Sequence, residues 1–194
     1  MVDQATAFNE YLPLKQFNPS GELGVTLEKI PKFCLFQLAG WPDTMAQTAD
    51  AVIQAAGASN APKIGQSTVG DKASILRVEP LKYWLISDQP MTELPTLASE
   101  VGCSLDLSHS RSWIKVSGTE AHTLLNHFLP IDLRHDQFIE GHVVTTAFHH
   151  VGITLWRTKE HYNLLLPRSF AASLWEHLTQ SSAQYGVEIK RELA

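Results

Sequence analysis

The 194 residues of the chain are enough for one large domain or two small ones, and such a chain can bury about 70% of the surface that it exposes when unfolded. Hydrophobic residues make up 44% and charged residues 18%, which excludes a disordered tail, a fibre and a disulfide-stapled miniprotein. Fifteen basic and twenty acidic side chains give a net charge of -5, which argues against nucleic acid and against an anionic membrane as partners.

The two cysteines and the first residues of the chain bear on its location. Cys34 and Cys103 each lie in an apolar segment, so we expect two reduced, buried thiols. The first ten residues contain Asp3 and Glu10 and no apolar run, unlike a signal peptide. The apolar stretch 41–62 contains two aspartates and should not cross a bilayer. These features predict a cytoplasmic protein.

The first half of the chain predicts an irregular arm followed by a strand-rich region. Residues 1–24 hold two prolines and an Asn-Pro-Ser-Gly turn signal, which break any periodicity. Pro42 and Asp43 start a helix whose apolar spacing predicts one buried face and which Gly57 ends. The other predicted elements are two strands within 25–38, a loop at 58–72, a hairpin of strands at 75–78 and 83–86, a short helix ending at 101–102 and a strand at 103–107.

The second half repeats this order. A strand at 113–116 is followed by Ser117 and Glu120, which have the spacing of a capping box, and by a helix that Pro130 ends. Strands are predicted at 143–148, 153–157 and 162–166, and then a final helix that buries Ala171, Leu174, Trp175 and Leu178 and ends at Gly186.

The two halves align with each other. Residues 76–86 register without a gap on 155–165 at an offset of 79, which places Tyr83 on Tyr162. Gly40 falls on Gly118 at an offset of 78, and each precedes a predicted helix. The sequence therefore predicts an α+β fold, with a first unit at 25–102 and a second at 103–194, packed as one globule. The alignment indicates that one unit was duplicated, and chance similarity between two such units is the alternative.

Several residue combinations invite a catalytic or metal-site interpretation that their spacing does not support. All nine histidines lie between His109 and His177, but His149 and His150 are predicted on a strand, where neighbours point to opposite faces, and no HExxH or CxxC occurs. Asp106, Ser108 and His109 are too close in sequence for a hydrolase triad. No glycine-rich phosphate loop is present. We therefore predict no catalytic, cofactor-binding or metal-binding residues.

Three arginines are candidates for interface anchors. Arg157 follows Trp156 at the end of an apolar strand, Arg168 opens the final helix, and Arg111 precedes another predicted strand. Arginine beside tryptophan is frequent in interfaces, although a surface arginine lying over an aromatic ring is the simpler interpretation. The five tryptophans fit core positions.

Short motifs place the chain beside a known superfamily. Leu105 to His109 (LDLSH) and Val116-Ser117-Gly118 resemble the aminomethyltransferases of glycine cleavage, which bind folate in an α+β fold. Further segments are similar to the gamma-subunit family of heterotetrameric sarcosine oxidases: 130–133 (PIDL), 155–157 (LWR), 168–171 (RSFA) and 174–175 (LW). The transferases carry a carboxylate after a Gly-Ile segment, whereas this chain has no Asp or Glu between Gly141 and Lys159. One-carbon transfer needs such a group near the folate nitrogen.

The resemblance implies a subunit without a catalytic site of its own. The complex would oxidise sarcosine to glycine, with NAD, FAD, FMN and tetrahydrofolate on the alpha and beta subunits and zinc on a small delta subunit. The chain would pack against the large subunits near His109, Arg111, Arg157 and Arg168. A complex acting on another N-methyl amino acid, a stand-alone folate-binding aminomethyltransferase-like protein, and an interaction module such as the folate-binding region of a tRNA-modifying GTPase are the alternatives.

Overall fold

A computed structural model describes residues 23–91 and 95–190 and divides them into two compact units. The five-stranded unit comprises 32–109 and 141–144, and the six-stranded unit comprises the described residues before Lys32 together with 110–140 and 145–190. The strands and α-helices are β1 (Val25–Ile30), β2 (Cys34–Gly40), α1 (Met45–Ala56), β3 (Ser67–Val69), β4 (Ser74–Glu79), β5 (Lys82–Ser87), β6 (Gly102–Asp106), β7 (Arg111–Ser117), α2 (Ala121–Asn126), β8 (Val143–Phe148), β9 (Val151–Arg157), β10 (Tyr162–Pro167), α3 (Ala171–Ser182) and β11 (Val187–Lys190).

The five-stranded unit is an antiparallel sheet in the order β3-β4-β5-β2-β6, covered on one face by α1. The helix buries Thr48, Val52 and Ala56, which are four residues apart and so lie along one side of it. Gly57 ends the helix in the left-handed conformation, with φ of 65°. The core between helix and sheet contains Phe36, Leu38, Val52, Ala56, Ala73, Ile75, Tyr83 and Leu85.

The six-stranded unit has the order β11-β1-β7-β10-β9-β8. β11 lies parallel to β1, whereas β7 is antiparallel to both β1 and β10. α3 buries the four residues predicted for its apolar side, Ala171, Leu174, Trp175 and Leu178. This confirms the period of the final helix.

The two sheets share a strand plan that explains the internal alignment. Each has an interior strand followed by a helix, β2 before α1 and β7 before α2, and this strand pairs with the second strand of a hairpin, β5 or β10. Tyr83 lies opposite Leu38 and Tyr162 lies opposite Val116, so the two tyrosines occupy equivalent positions.

The division of the chain differs from the expected boundary between 102 and 103. β1 was expected in the first unit but pairs with β7, and β6 was expected in the second unit but pairs with β2. The strand that precedes β2 in the chain thus pairs in the six-stranded sheet, and the strand that precedes β7 pairs in the five-stranded sheet. An apolar alternation predicts that a strand exists and which face is buried, but not which strand it pairs with.

Other local predictions need correction. Ser117 belongs to β7, and α2 begins after Glu120 without a side-chain cap, so the predicted capping box does not form. Residues 95–101 contain no helix, since the N–H groups of Val101 and Gly102 both donate to Ala98 in a turn. The strands β3 and β11 were not predicted. The expected N-terminal arm lies, up to residue 22, outside the described residues.

Candidate subunit interface

Two of the predicted interface arginines meet at one end of the six-stranded sheet. Arg111 opens β7 opposite Pro167, the last residue of β10. Arg168 follows at once, and its backbone N–H donates to the Ser110 carbonyl at 3.1 Å. Both arginines are half-buried, and burial lowers the pKa of Arg111 below its ordinary value. Phe170, in the same turn as Arg168, is 50% exposed, so an exposed aromatic side chain and two half-buried arginines lie at this end of the sheet.

Arg157 lies at the other end of the same sheet and is held by its own chain. It is opposite Tyr162 in the register of β9 and β10, and its guanidinium lies 5.1 Å from the centre of that tyrosine ring. Nη1 donates to the Phe138 carbonyl at 2.6 Å, and Nη2 contacts Nδ1 of His135. The surface arginine over an aromatic ring is therefore the arrangement that the structure shows for Arg157.

These contacts belong to a larger anchor for the segment that follows α2. The Tyr162 hydroxyl donates to the Leu133 carbonyl at 2.8 Å, and its ring stacks on Phe138 at 6.4 Å. The Leu133 N–H donates to the Asn126 side chain at 3.3 Å. Burial raises the pKa of Tyr162, although the nearby Arg157 opposes this shift. This anchor was not predicted from the sequence, although the apolar Leu133 and Phe138 within a polar stretch indicate a buried segment.

A similar arrangement occurs in the five-stranded unit. The guanidinium of Arg77 lies 4.9 Å from the centre of the Tyr83 ring, and its Nη2 donates to the Pro80 carbonyl at 3.0 Å. Burial raises the pKa of Tyr83, and Arg77 again acts in the opposite direction. The equivalent tyrosines of the two units thus each support an arginine that binds a backbone carbonyl in a neighbouring turn.

The structure separates the tryptophans into two groups. Trp84, Trp113, Trp156 and Trp175 are buried, as predicted. Trp41 was also expected in the core but is 54% exposed, because it lies in the turn between β2 and α1 and its indole N–H donates to the Ser99 carbonyl at 3.1 Å.

His109, the fourth predicted interface residue, is exposed in the turn after β6.

Thiols and histidines also depart from their expected surroundings. Cys34 is half-buried, but Cys103 is exposed because its strand, β6, is an edge strand of the sheet. His149 lies in the turn between β8 and β9 with φ of 52°, instead of on a strand.

Across residues 23–91 and 95–190, no group of three or more His, Cys, Asp or Glu side chains is arranged to hold a metal ion. Within the same residues, none of the helices has the length and apolar character to span a membrane.

The chain has the fold of an aminomethyltransferase. It superposes on the glycine cleavage system aminomethyltransferase T from Bartonella henselae with a TM-score of 0.63 over 86% of this chain and 48% of that protein. At 15% identity this match establishes the fold alone. The expected α+β fold of the folate-binding aminomethyltransferase type is confirmed. No protein-family model matches the sequence.

Closer relatives specify the family within this class. The chain is 30% identical over 164 residues to the sarcosine oxidase subunit gamma of Corynebacterium sp. strain U-96, covering 81% of this chain and 77% of the relative. The gamma subunit of strain P-1 is 38% identical over 81 residues, 42% of this chain and 38% of the relative. The solved heterotetrameric sarcosine oxidase of Corynebacterium sp. U-96, in complex with pyrrole 2-carboxylate, contains a chain that superposes with a TM-score of 0.74 at 25% identity over 88% of both. The chain belongs to the sarcosine oxidase gamma-subunit family.

Proposed function

We propose that this chain is the non-catalytic gamma subunit of a heterotetrameric sarcosine oxidase, in which it supports the flavin-containing subunits during oxidative demethylation of sarcosine to glycine. The observation that carries the proposal is the 30% identity with a sarcosine oxidase gamma subunit over 81% of this chain. The superposition on a chain of a heterotetrameric sarcosine oxidase over 88% of both chains supports it.

The proposal assigns the reactive groups to the partner subunits. The alpha and beta subunits would hold FAD, FMN, NAD and tetrahydrofolate, and the delta subunit would hold zinc, in a cytoplasmic complex. No Asp or Glu occurs between Gly141 and Lys159, where the transferases carry their carboxylate. Since that carboxylate would have to stabilise positive charge beside the folate nitrogen, the chain contributes a scaffold to the complex.

The interface would include both arginines at the end of the six-stranded sheet. Arg168 and the exposed Phe170 belong to one short turn, and Arg111 lies opposite Pro167, which precedes that turn. Arginine and aromatic side chains are both enriched in protein interfaces. His109, exposed in the turn after β6, would contribute a polar contact. Arg157 would act through the segment it anchors, because its guanidinium already binds Phe138 and His135.

Reconstitution tests this function. The tagged chain is co-expressed with the alpha, beta and delta subunits of its own host, and the recovered complex is assayed for flavin content, mass and sarcosine-dependent oxygen uptake. We expect the chain to retain both flavoprotein subunits, and its omission to lower the yield of assembled, active complex. Recovery of the chain alone, beside a fully active complex of the other three subunits, would refute the proposal.

Two further measurements address the alternatives. A panel of N-methyl amino acids, including sarcosine and N-methylglutamate, identifies the amine that the complex oxidises. Calorimetric titration of the isolated chain with tetrahydrofolate tests the stand-alone folate-binding alternative. Saturable micromolar binding would favour that alternative, and we expect none.

A further inference from the structure

In the part of the chain that the structure describes, β6 forms one edge of the five-stranded sheet and has no strand on its outer side. In the register of β6 with β2, Ser104 lies opposite Leu38 and Asp106 lies opposite Phe36. The Leu107 N–H points inward and donates to the Leu35 carbonyl at 2.8 Å. Because backbone groups alternate along a strand, those of Ser104 and Asp106 point away from β2. None of the described residues pairs with them.

The opposite edge of this sheet is formed by β3 and is covered by the segment around Gly141 and His142. Gln66, just before β3, forms a bridge with His142, and the Ser67 N–H donates to the Gly141 carbonyl at 2.7 Å. Natural edge strands are commonly protected by lysine, proline or a covering segment. β6 has the sequence GCSLD, without lysine or proline.

The open edge is bordered by exposed apolar side chains. Leu105, on β6, is 50% exposed. Trp41 is 54% exposed, and its backbone N–H donates to the Val101 carbonyl at 3.2 Å, immediately before β6 begins. An edge strand flanked by exposed apolar side chains is typical of a site where another strand is added.

The charge of this surface is of one sign. Residues 97–108 contain Glu100 and Asp106 but no lysine or arginine, and the turn that carries Trp41 adds Asp43. All three carboxylates are exposed. Lys82, two strands away from Cys103 in the sheet, is already paired with Glu79 at 2.8 Å. A strand that binds here gains from lysine or arginine side chains.

We propose that β6 accepts an extended segment of a partner subunit, which pairs with the outward backbone groups of Ser104 and Asp106, packs an apolar side chain against Leu105 and carries basic residues toward Glu100 and Asp106. The identity of the partner as a subunit of the complex rests on the proposed function. The pairing itself rests on the open edge, the apolar border and the acidic charge.

A substitution at Ser104 can change the outer edge of β6 without changing the pairing of β6 with β2. Ser104→Pro removes an N–H that points away from β2, and proline is tolerated on an edge strand at such a position. Ser104→Ala is the matched control, because both changes remove the hydroxyl that accepts the Leu97 N–H at 3.0 Å. We expect Ser104→Pro to weaken association with the flavoprotein subunits about tenfold or more relative to Ser104→Ala, measured by co-purification and sedimentation.

A second variant and a labelling experiment keep the test decisive should the proline variant lose its fold. Leu105→Lys places a charge that should reduce binding without altering the β2–β6 ladder. Alkylation of Cys103, followed by mass spectrometry, should be slower in the complex than in the free chain, with the half-buried Cys34 as internal reference.

The outcomes distinguish this inference from the proposed function. The β6 pairing is overturned if the wild-type chain assembles, Ser104→Pro and Leu105→Lys assemble equally well, and Cys103 is not protected from alkylation. That result leaves the gamma-subunit role intact. A free wild-type dimer that Ser104→Pro dissociates would identify a second copy as the occupant and also overturn it. Failure of the wild-type chain to assemble at all would remove both proposals.

Discussion

Replacement of Arg157 by methionine tests whether this arginine anchors its own chain or a partner. The guanidinium makes a 2.6 Å hydrogen bond to the Phe138 carbonyl and lies 5.1 Å from the centre of the Tyr162 ring. A hydrogen bond from a charged donor contributes about 1.5–3 kcal/mol and an exposed cation–π contact about 0.5–1 kcal/mol. Because Arg157 is half-buried, the lower ends apply, and we expect a loss of about 2 kcal/mol in unfolding free energy.

Thermal unfolding and hydrogen exchange measure this loss. A change of about 2 kcal/mol corresponds to a fall in Tm of about 4–8 °C for a chain of this size. Amide exchange should accelerate at 133–138, the segment that the arginine holds. Arg77→Met is the matched control, since it breaks the equivalent stack on Tyr83 and should leave exchange at 133–138 unchanged. Unchanged Tm and exchange in Arg157→Met, combined with lost assembly, would refute the anchoring role and make Arg157 a direct interface residue.

Three further changes have defined outcomes. Tyr162→Phe removes the hydrogen bond to the Leu133 carbonyl and should lower the unfolding free energy by about 1 kcal/mol in urea titrations, whereas an equal loss in Tyr83→Phe would contradict this assignment. Burial lowers the pKa of Lys29 from 10.5 to about 8. Between these two pH values the unfolded chain binds more protons than the folded chain, so the unfolding free energy should rise from pH 8 to about 10.5. A Lys29→Met variant that keeps the same rise would exclude Lys29 as its source. Gly118 has φ of 109°, and Gly118→Ala places a Cβ at 2.3 Å from the Gly24 carbonyl oxygen, so it should lower the unfolding free energy by about 2 kcal/mol or more. Gly152→Ala is the control: its Cβ meets nothing within 4 Å, and the variant should retain the wild-type Tm within about 2 °C.

The periodicity of the sequence predicted the elements well where burial is local. The spacing of Val52 and Ala56 in α1 and of Leu174 and Leu178 in α3 reflects one buried helix side, and both helices form where predicted. The short strands β3 and β11 were missed because strands of three or four residues give too brief an alternation to be distinguished from loop.

The structure brings together two of the three arginines that were predicted as interface anchors. Arg111 and Arg168 are brought to one end of the sheet by the pairing of β7 with β10. Arg157 lies at the other end, and its hydrogen-bond acceptor is 19 residues away in the chain. Trp41 was predicted in the core from the apolar periodicity, but its position in a turn leaves it exposed. Residue type and local pattern predict burial on average, whereas contacts across a sheet depend on register.

Residue order along the chain is enough to place the long elements, to align Tyr83 with Tyr162 and to assign the chain to the gamma-subunit family. The folded chain was needed to show that β1 and β6 exchange sheets, that Arg157 is bound by its own chain, and that no described strand lies on the outer side of β6. Backbone hydrogen bonds between strands are made by every sequence alike, so the choice of partner strand depends on how the whole chain packs.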